Sequence, residues 1–301
     1  MLNTELCNIK LENPTVLASG ILGTSVDLMK RVAKNGAGAV TTKSIGPVER
    51  AGHKNPTVIA LGDEGIINAV GLPTPGYLNM DYEFNRFKEV SVPVIASIYG
   101  SSVQEYVNIA KYLQKYYADI IELNISCPNK EDGMSFSSSK NLTKKLVAAV
   151  KEVSKVPIMP KLTPNCPDIV EIAKAAEQAG ADAICAINTV GPEEIIIKEV
   201  KHPLLSYGTG GISGPMIKNI SLTLVKRIAH KVKIPIVGTG GIMYGKDAIE
   251  MIKNGASAVG IGSGVYFREI DVFKKVCKEM KIIMKKEKIK SIKDIVGVNV
   301  R

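Results

Sequence analysis

The sequence contains little histidine, and its cysteines are not spaced as in metal sites. Its three histidines, His53, His202 and His230, are scattered along the chain. No two cysteines show the two-residue gap typical of zinc or iron–sulfur ligation. The five cysteines are Cys7, Cys127, Cys166, Cys185 and Cys277. We therefore expect no metal and no disulfide, and no metal-hydrolase, glycosidase or serine-triad chemistry.

Long apolar runs and linker-like segments are also missing. The apolar stretches are too short to span a bilayer, and residues 1–5 do not begin a basic region followed by an apolar one, so we expect no secretory signal. No Gly/Ser tract divides the chain, and its hydrophobic content of 45% is enough for a large core. We expect a cytoplasmic protein with a single domain over residues 1–301.

The net charge is +10, and the excess lies mostly in lysines near the end of the chain. These are Lys274, Lys275, Lys278, Lys281, Lys285, Lys286, Lys288 and Lys290. A solvated helix face is the simplest interpretation. The run lacks the arginines and interleaved aromatics that favour nucleic-acid binding, and an acidic ligand or partner would explain the bias as well. We predict neither a nucleic-acid nor a membrane partner.

Three related segments each predict a helix that ends at a glycine before a buried strand. Residues 34–40 are KNGAGAV, residues 253–259 are KNGASAV and residues 178–184 are QAGADAI. Glycine takes the left-handed conformation at a helix C-terminus without a Cβ penalty. A second recurring form places a proline between two β-branched residues, as is tolerated at the start of a strand. It occurs at Pro93, Pro157 and Pro235.

Apolar runs that alternate with helical patterns predict eight strands. They lie near residues 14–19, 38–43, 93–98, 119–126, 157–162, 182–188, 235–239 and 258–262. The runs are continuous in Val, Ile and Ala, as in parallel strands that are buried on both faces. Eight strand–helix units predict an α/β fold, a closed (β/α)8 TIM barrel.

The segments outside these units complete the predicted barrel. Residues 2–12 are expected to form a short hairpin that closes the bottom. Long loops are expected at 45–80, 128–141 and 190–213. Because active sites of such barrels lie at the C-terminal ends of the strands, the polar residues there are the candidates for chemistry.

The run Leu123-Asn124-Ile125-Ser126-Cys127-Pro128-Asn129 predicts a buried strand that opens into a polar loop. Pro128 cannot continue a central ladder, so Cys127 lies at the strand end. A lone cysteine is often a small buried hydrophobe. The alternative is a nucleophile or general base, because a thiol pKa of about 8.5 is easily lowered. The neighbouring Asn124, Ser126 and Asn129 favour this alternative.

Other polar groups are expected at the same end of the barrel. Gly238-Thr239-Gly240-Gly241 and Gly260-Ile261-Gly262-Ser263-Gly264 follow the last two strands and are typical of a phosphate site, although glycines also serve tight turns. Lys43 and Lys161 end buried runs, so each ammonium needs a ligand or an ion pair. Amides (Asn68, Asn124, Asn129, Asn188) and hydroxyls (Ser19, Thr189) complete the set. The combination fits a flavin enzyme with a small, flat, anionic substrate.

Five motifs follow one another over nearly the whole chain. They are Thr42-Lys43-Ser44, Asn68-Ala69-Val70-Gly71-Leu72, Asn124-Ile125-Ser126-Cys127-Pro128-Asn129, Ile187-Asn188-Thr189 and Gly210-Gly211-Ile212-Ser213-Gly214-Pro215. Together they resemble dihydroorotate dehydrogenases. Cys127 implies class 1, because the membrane-linked class has serine there. Residues 130–136 and 208–215 resemble the NAD-linked class 1B catalytic subunit, whereas the fumarate-linked class 1A usually has Pro-Gly-Lys-Pro after its cysteine.

The resemblance implies site residues, which are carried over only where the motifs match. Expected to bind FMN, one per chain, are Ser19, Lys43, Ser44, Ser97, Asn124, Lys161, Ile187, Gly214, Gly240, Gly241, Gly262 and Ser263. Expected to bind dihydroorotate or orotate are Lys43, Asn68, Ala69, Val70, Gly71, Leu72, Asn124, Asn129, Asn188 and Thr189. Two positions depart from the family, because Ser97 and Thr74 each replace a common asparagine.

The resemblance also implies a reaction in pyrimidine (UMP) biosynthesis, with Cys127 and Lys43 as catalytic residues. Cys127 would remove a proton from C5 of dihydroorotate while C6 delivers hydride to N5 of FMN, and Lys161 would stabilise charge on the reduced flavin. The loop 128–141 would act as a lid. A homodimer of this chain would join a partner carrying FAD and [2Fe–2S] in a heterotetramer that reduces NAD+.

Three other functions stay open from the sequence. The chain could be a class 1A enzyme that uses fumarate. It could also be a flavin-dependent tRNA-dihydrouridine synthase, although the cysteine motif differs and no RNA-binding domain follows the barrel. The non-catalytic alternative is a basic barrel that binds phosphate or RNA.

Overall fold

Buried β-branched runs form most strands of the structure, a computed structural model that describes residues 1–126, 135–197 and 202–300. The strands are β1 (Thr4–Leu6), β2 (Ile9–Leu11), β3 (Thr15–Leu17), β4 (Ala39–Thr41), β5 (Val58–Leu61), β6 (Gly65–Asn68), β7 (Val94–Ile98), β8 (Ile120–Asn124), β9 (Ile158–Leu162), β10 (Ile184–Ala186), β11 (Val190–Glu194), β12 (Ile196–Ile197), β13 (His202–Pro203), β14 (Thr209–Ser213), β15 (Ile236–Thr239) and β16 (Ala258–Ile261). The helices are α1 (Val26–Lys34), α2 (Asp81–Asn85), α3 (Val103–Leu113), α4 (Lys140–Val153), α5 (Ile169–Gln178), α6 (Lys218–Ala229), α7 (Gly245–Lys253), α8 (Gly264–Arg268) and α9 (Val272–Lys286).

The parallel strands close into a barrel in chain order: β3, β4, β7, β8, β9, β10, β15, β16 and back to β3. The predicted (β/α)8 TIM barrel is confirmed, and each predicted strand contains the observed one. Most ladders end earlier than predicted, so that Lys43 follows β4 by two residues and Asn188 follows β10 by two. These residues consequently follow the ends of their strands, at the open end of the barrel.

The three repeated segments end their helices as predicted. After α1, α5 and α7, the glycines Gly36, Gly180 and Gly255 have φ angles of 93°, 94° and 107°. The amide of each glycine donates to the carbonyl three residues earlier, in the last turn of its helix. The amide of the alanine that follows donates to the carbonyl five residues before it. The chain thereby turns directly from helix into the next barrel strand.

The three prolines of the second repeat lie one residue before β7, β9 and β15. A proline has no amide to donate, but its carbonyl still accepts. Pro93, Pro157 and Pro235 accept hydrogen bonds from Val40, Ile121 and Ile184 of the neighbouring strands, at 3.0, 2.9 and 2.9 Å. The parallel ladder therefore begins at the proline without an orphaned polar group.

Two apolar clusters fill the fold. The larger lies between the barrel strands and the helices. The smaller lies inside the barrel, where Leu6 and Leu11 of the β1–β2 hairpin pack against inward-facing residues such as Ile95, Ile120 and Val237. The hairpin therefore closes the bottom of the barrel, as predicted.

Two of the segments predicted to be long loops contain strands instead. β5 and β6 lie within residues 45–80, and β11 to β14 lie within 190–213. Four of them form an antiparallel sheet in the order β11-β14-β6-β5. The third predicted loop, 128–141, falls partly outside the described residues. Its described part contains a short 3-10 helix, Phe136–Ser138, and the start of α4.

The late lysines lie mainly on α9, whose buried face consists of Val272, Phe273, Val276, Met280 and Met284. Lys274, Lys278, Lys281, Lys285 and Lys286 are exposed on the other side. This confirms the interpretation as a solvated helix face. Among the helices of the described ranges, none combines the length and apolar composition needed to cross a membrane.

We predict that Leu6→Ala lowers the free energy of unfolding by about 2–5 kcal/mol, because it leaves a cavity at a closed end of the barrel. Leu6 is 0% exposed. Lys10→Ala, at an exposed position of β2, is the matched control and should change the same quantity by less than about 0.5 kcal/mol. Denaturant unfolding measures both. Equal effects would show that the hairpin does not stabilise the barrel.

Candidate active site

A cavity of about 560 Å³ lies at the C-terminal ends of the barrel strands, beside the antiparallel sheet. Predicted FMN-binding residues on its wall are Ser19, Lys43, Ser44, Asn124, Lys161, Ile187, Gly214, Gly240, Gly241, Gly262 and Ser263. Predicted substrate-binding residues on its wall are Lys43, Asn68, Ala69, Val70, Gly71, Leu72, Asn124, Asn188 and Thr189. The structure thus brings residues from both halves of the chain to one site, while their individual roles stay predictions.

Hydroxyls and amides from four strand ends form a continuous polar chain along the wall. The Ser19 hydroxyl lies 3.3 Å from that of Ser44, to which the Asn124 amide donates at 3.4 Å. The Asn188 amide nitrogen donates to the Ser126 hydroxyl at 3.0 Å and lies 3.5 Å from Asn124 Oδ1. Because each group holds its neighbour, the wall presents fixed donors and acceptors to a ligand.

Ser97 is the predicted FMN-binding residue that the structure does not place on this wall. It is fully buried in β7, and its hydroxyl lies 3.1 Å from that of Ser44. The β7–β8 ladder continues past Ser97 to Ile98, which pairs with Leu123, so Ser97 lies below the barrel mouth. Ser97 thus contacts Ser44 behind the wall, and its role in binding FMN stays a prediction.

Lys43 and Lys161 bring two ammonium groups to the cavity. Lys161 is 7% exposed. Burial lowers the pKa of Lys43, and the positive charge of Lys161 lowers it further. No carboxylate of the described residues forms an ion pair with either lysine. A buried cation without a partner is costly, so the cavity favours an anionic or electron-rich ligand over a structural ion pair.

The glycine-rich wall has two kinds of glycine. A Cβ added at Gly240 would lie 2.7 Å from Ser221 Cβ, and one at Gly241 would lie 2.5 Å from Lys218 Cβ. Close packing against α6 therefore requires glycine at both positions. At Gly262, the nearest protein atom to a Cβ would be Ala18 Cβ at 3.6 Å. The bare backbone of Gly262 instead leaves room on the cavity side, which fits a phosphate held by backbone amides. Close packing thus accounts for Gly240 and Gly241 but not for Gly262.

The segment 68–72 forms another part of the cavity wall. Asn68 ends β6, and its amide donates to the Gly211 carbonyl of β14 at 3.2 Å. Gly71 and Leu72 have φ angles of 78° and 54°, which turn the segment towards the cavity. Thr74, the other departure from the family, is buried, and its hydroxyl accepts from the amides of Gly46 and Gly76. It holds a turn and does not line the cavity.

Cys127 and Asn129 lie outside the described residues, as does half of the predicted lid, residues 128–134. Ser126, which directly precedes Cys127 in the chain, lines the cavity.

The sequence prediction missed several apolar residues of the wall. Val58 and Ile66, from β5 and β6, line the cavity together with Ile21, Ile217 and Ile242. A signal for β5 and β6 was present, because Leu61-Gly62-Asp63-Glu64-Gly65 separates two apolar runs as a hairpin turn does. The antiparallel sheet therefore contributes apolar surface to one side of the site.

The profile of the family described as dihydroorotate dehydrogenase matches residues 1–284 of this chain. The chain belongs to the dihydroorotate dehydrogenase family. Among its relatives, a protein of Methanocaldococcus jannaschii is 46% identical, covering 99% of this chain and 98% of its own. A protein of Methanothermobacter thermautotrophicus is 42% identical over 99% of this chain and 98% of its own. A protein of Pyrococcus abyssi is 43% identical over 99% of both chains. All three are named dihydroorotate dehydrogenase B (NAD(+)), catalytic subunit.

We predict that Lys43→Met raises the Tm of the protein freed of bound ligands by about 2 °C or more at pH 7. The pKa of Lys43 is lower in the folded chain than its ordinary value. The folded state therefore binds this proton more weakly than the unfolded state does. At pH values below the lowered pKa, protonated Lys43 destabilises the folded state by the full amount of this difference. This penalty disappears as pH rises through the folded pKa towards the ordinary one.

The gain in Tm should accordingly shrink between pH 7 and about pH 10. Thermal unfolding at both pH values measures it. Lys88→Met, at an exposed position, is the control for the added apolar side chain. A gain from Lys43→Met that is independent of pH would contradict the electrostatic cause.

Proposed function

We propose that this protein oxidises (S)-dihydroorotate to orotate in the de novo synthesis of UMP, using FMN bound in the cavity. The observation that carries the proposal is the meeting of two unpaired ammonium groups with a chain of fixed amides in a cavity of about 560 Å³. The family of the chain supports the same activity. FMN, when bound, supplies the acceptor for a hydride.

The residues present fit FMN on chemical grounds. Backbone amides around Gly262 and Ser263, next to Gly240 and Gly241, suit its phosphate. Lys161, on the floor of the cavity, supplies the positive charge that stabilises an electron-rich ring system. The remaining proposed FMN ligands are Ser19, Lys43, Ser44, Asn124, Ile187 and Gly214, with Ser97 supporting Ser44.

The substrate is proposed to lie against the segment 68–72 and the end of β10. Asn68, Asn188 and Thr189 offer donors and acceptors that match the alternating N–H and C=O groups of a pyrimidine ring. Lys43 offers a charge for its carboxylate. Asn129 completes this set by its place in the family motif. These contacts would hold the reacting carbon atoms in one orientation, which is the main contribution of such a site.

Cys127 is proposed as the general base. Its sulfur takes the proton from C5, while the hydrogen on C6 leaves as hydride, so that the electrons of the C5–H bond form the ring double bond. Lys43 contributes positive charge beside the carboxylate of the same ring. The proposal for Cys127 rests on its motif and on its place in the chain next to Ser126, which lines the cavity.

The physiological acceptor is proposed to be NAD+, as in the names of the relatives. Those names also say "catalytic subunit", which supports a partner subunit for this chain. By family resemblance the partner would carry FAD and a [2Fe–2S] cluster and would join a dimer of this chain in a heterotetramer.

We expect the purified protein to be yellow and to release FMN on denaturation. Anaerobic titration with dihydroorotate should bleach the flavin absorbance, because the bound cofactor accepts the hydride. Adding fumarate should then restore the colour slowly, and NAD+ should restore it rapidly only with the partner subunit. A flavin that dihydroorotate does not bleach would overturn the proposed function. Rapid reoxidation by fumarate alone would indicate class 1A.

We expect Cys127→Ser to bind FMN and orotate but to reduce its flavin about 10²–10⁴-fold more slowly at neutral pH, because a thiol is partly ionised to the basic thiolate at this pH whereas a hydroxyl is not. Stopped-flow absorbance measures the rate. Cys277→Ser, on α9 outside the barrel, is the matched control and should retain the wild-type rate. Near-normal flavin reduction by Cys127→Ser would contradict the assignment.

A further inference from the structure

The rings of His53 and Tyr207 stack outside the cavity. Their centroids are 4.0 Å apart and their planes differ by 4°. His53 precedes β5, whereas Tyr207 lies between β13 and β14, so the stack joins the two segments that form the antiparallel sheet. Neither ring belongs to the cavity wall.

His53 makes two hydrogen bonds to the segment 69–72, on the side of the segment that faces away from the cavity. Its backbone amide donates to the Val70 carbonyl at 3.1 Å. Its ring Nδ1 lies 3.0 Å from the Ala69 carbonyl oxygen. Since a carbonyl can only accept, Nδ1 must carry the proton in this contact.

The next two residues of the segment are fixed as well. A Cβ at Gly71 would lie 2.8 Å from the His53 ring, so the backbone of Gly71 packs directly against it. The carbonyl of Leu72 accepts from the Tyr99 hydroxyl at 3.0 Å. All four residues 69–72, which line the cavity, are therefore held from outside, three of them by His53.

We propose that His53, held in place by Tyr207, is a positioning residue that sets the shape of the substrate side of the cavity. The inference rests on the proposed function, because it assigns residues 69–72 to dihydroorotate. Loss of the stack frees the His53 ring to rotate and loosens the backbone that contacts the substrate. The glycine-rich wall and Lys161 lie elsewhere on the cavity and do not contact the stack.

The test compares variants of the FMN-loaded protein with its partner subunit. His53→Ala and Tyr207→Ala should each raise KM for dihydroorotate about tenfold and change kcat by less than about threefold. The reason is that they weaken binding of the substrate and of the transition state to the same extent. Tyr207→Phe keeps the stacked ring and should retain the wild-type KM. FMN content should be unchanged in all three.

Orotate binding gives a second measurement, through its perturbation of the flavin spectrum. The Kd for orotate should rise in parallel with KM in the two alanine variants. Tyr117→Ala is the control, because Tyr117 is 68% exposed and lies between α3 and β8, at the bottom of the barrel. Tyr207 is 62% exposed, so Tyr207→Ala removes little buried surface and carries the test even if His53→Ala does not fold.

The outcomes separate this inference from the proposed function. A wild-type flavin that dihydroorotate bleaches, together with unchanged KM and orotate Kd in both alanine variants, would overturn the role of His53 and leave the function standing. Loss of FMN in parallel with substrate affinity would also overturn it, because the stack would then support the whole cavity. A wild-type flavin that dihydroorotate does not reduce would overturn the function itself.

Discussion

Closure of the parallel ladder is the constraint on which the rest of the structure depends. Because all eight barrel strands run the same way, every strand ends on the same side, and residues as distant in sequence as Ser19 and Ser263 line one cavity. The polar chain from Ser19 to Asn188 exists only because β3, β4, β8 and β10 are held in this order. A barrel also has no free edge, so its strands need no protection against pairing with other chains.

The site is organised around an electrostatic conflict. Lys43 and Lys161 lie in one desolvated cavity, and burial and mutual repulsion both lower the pKa of Lys43. A ligand with negative charge relieves this conflict, so the two lysines favour the binding of an anion. The amides beside the lysines are already hydrogen-bonded to one another, which lets the site orient a ligand without first ordering itself.

Much of the barrel could be predicted from the sequence because its signals are local. Buried runs, glycine caps and strand-initiating prolines each lie within a few residues. The antiparallel sheet was missed because its central pairing joins β6 to β14, so that Asn68 lies opposite Gly211, far along the chain. The placement of Lys43 and Asn188 on the cavity wall could be predicted from their position after a strand. The depth of Ser97 could not be predicted, because it depends on where the ladder with β8 ends.

The β1–β2 hairpin also ties the start of the chain to residues near its end. Thr4 donates its hydroxyl to the Ser257 carbonyl just before β16, and the Met1 carbonyl accepts from Ile292. The first residues of the chain are therefore bound to residues near its end, across a very large sequence separation. Contacts of this kind carry a large loop-closure cost, which slows the folding of a chain that depends on them.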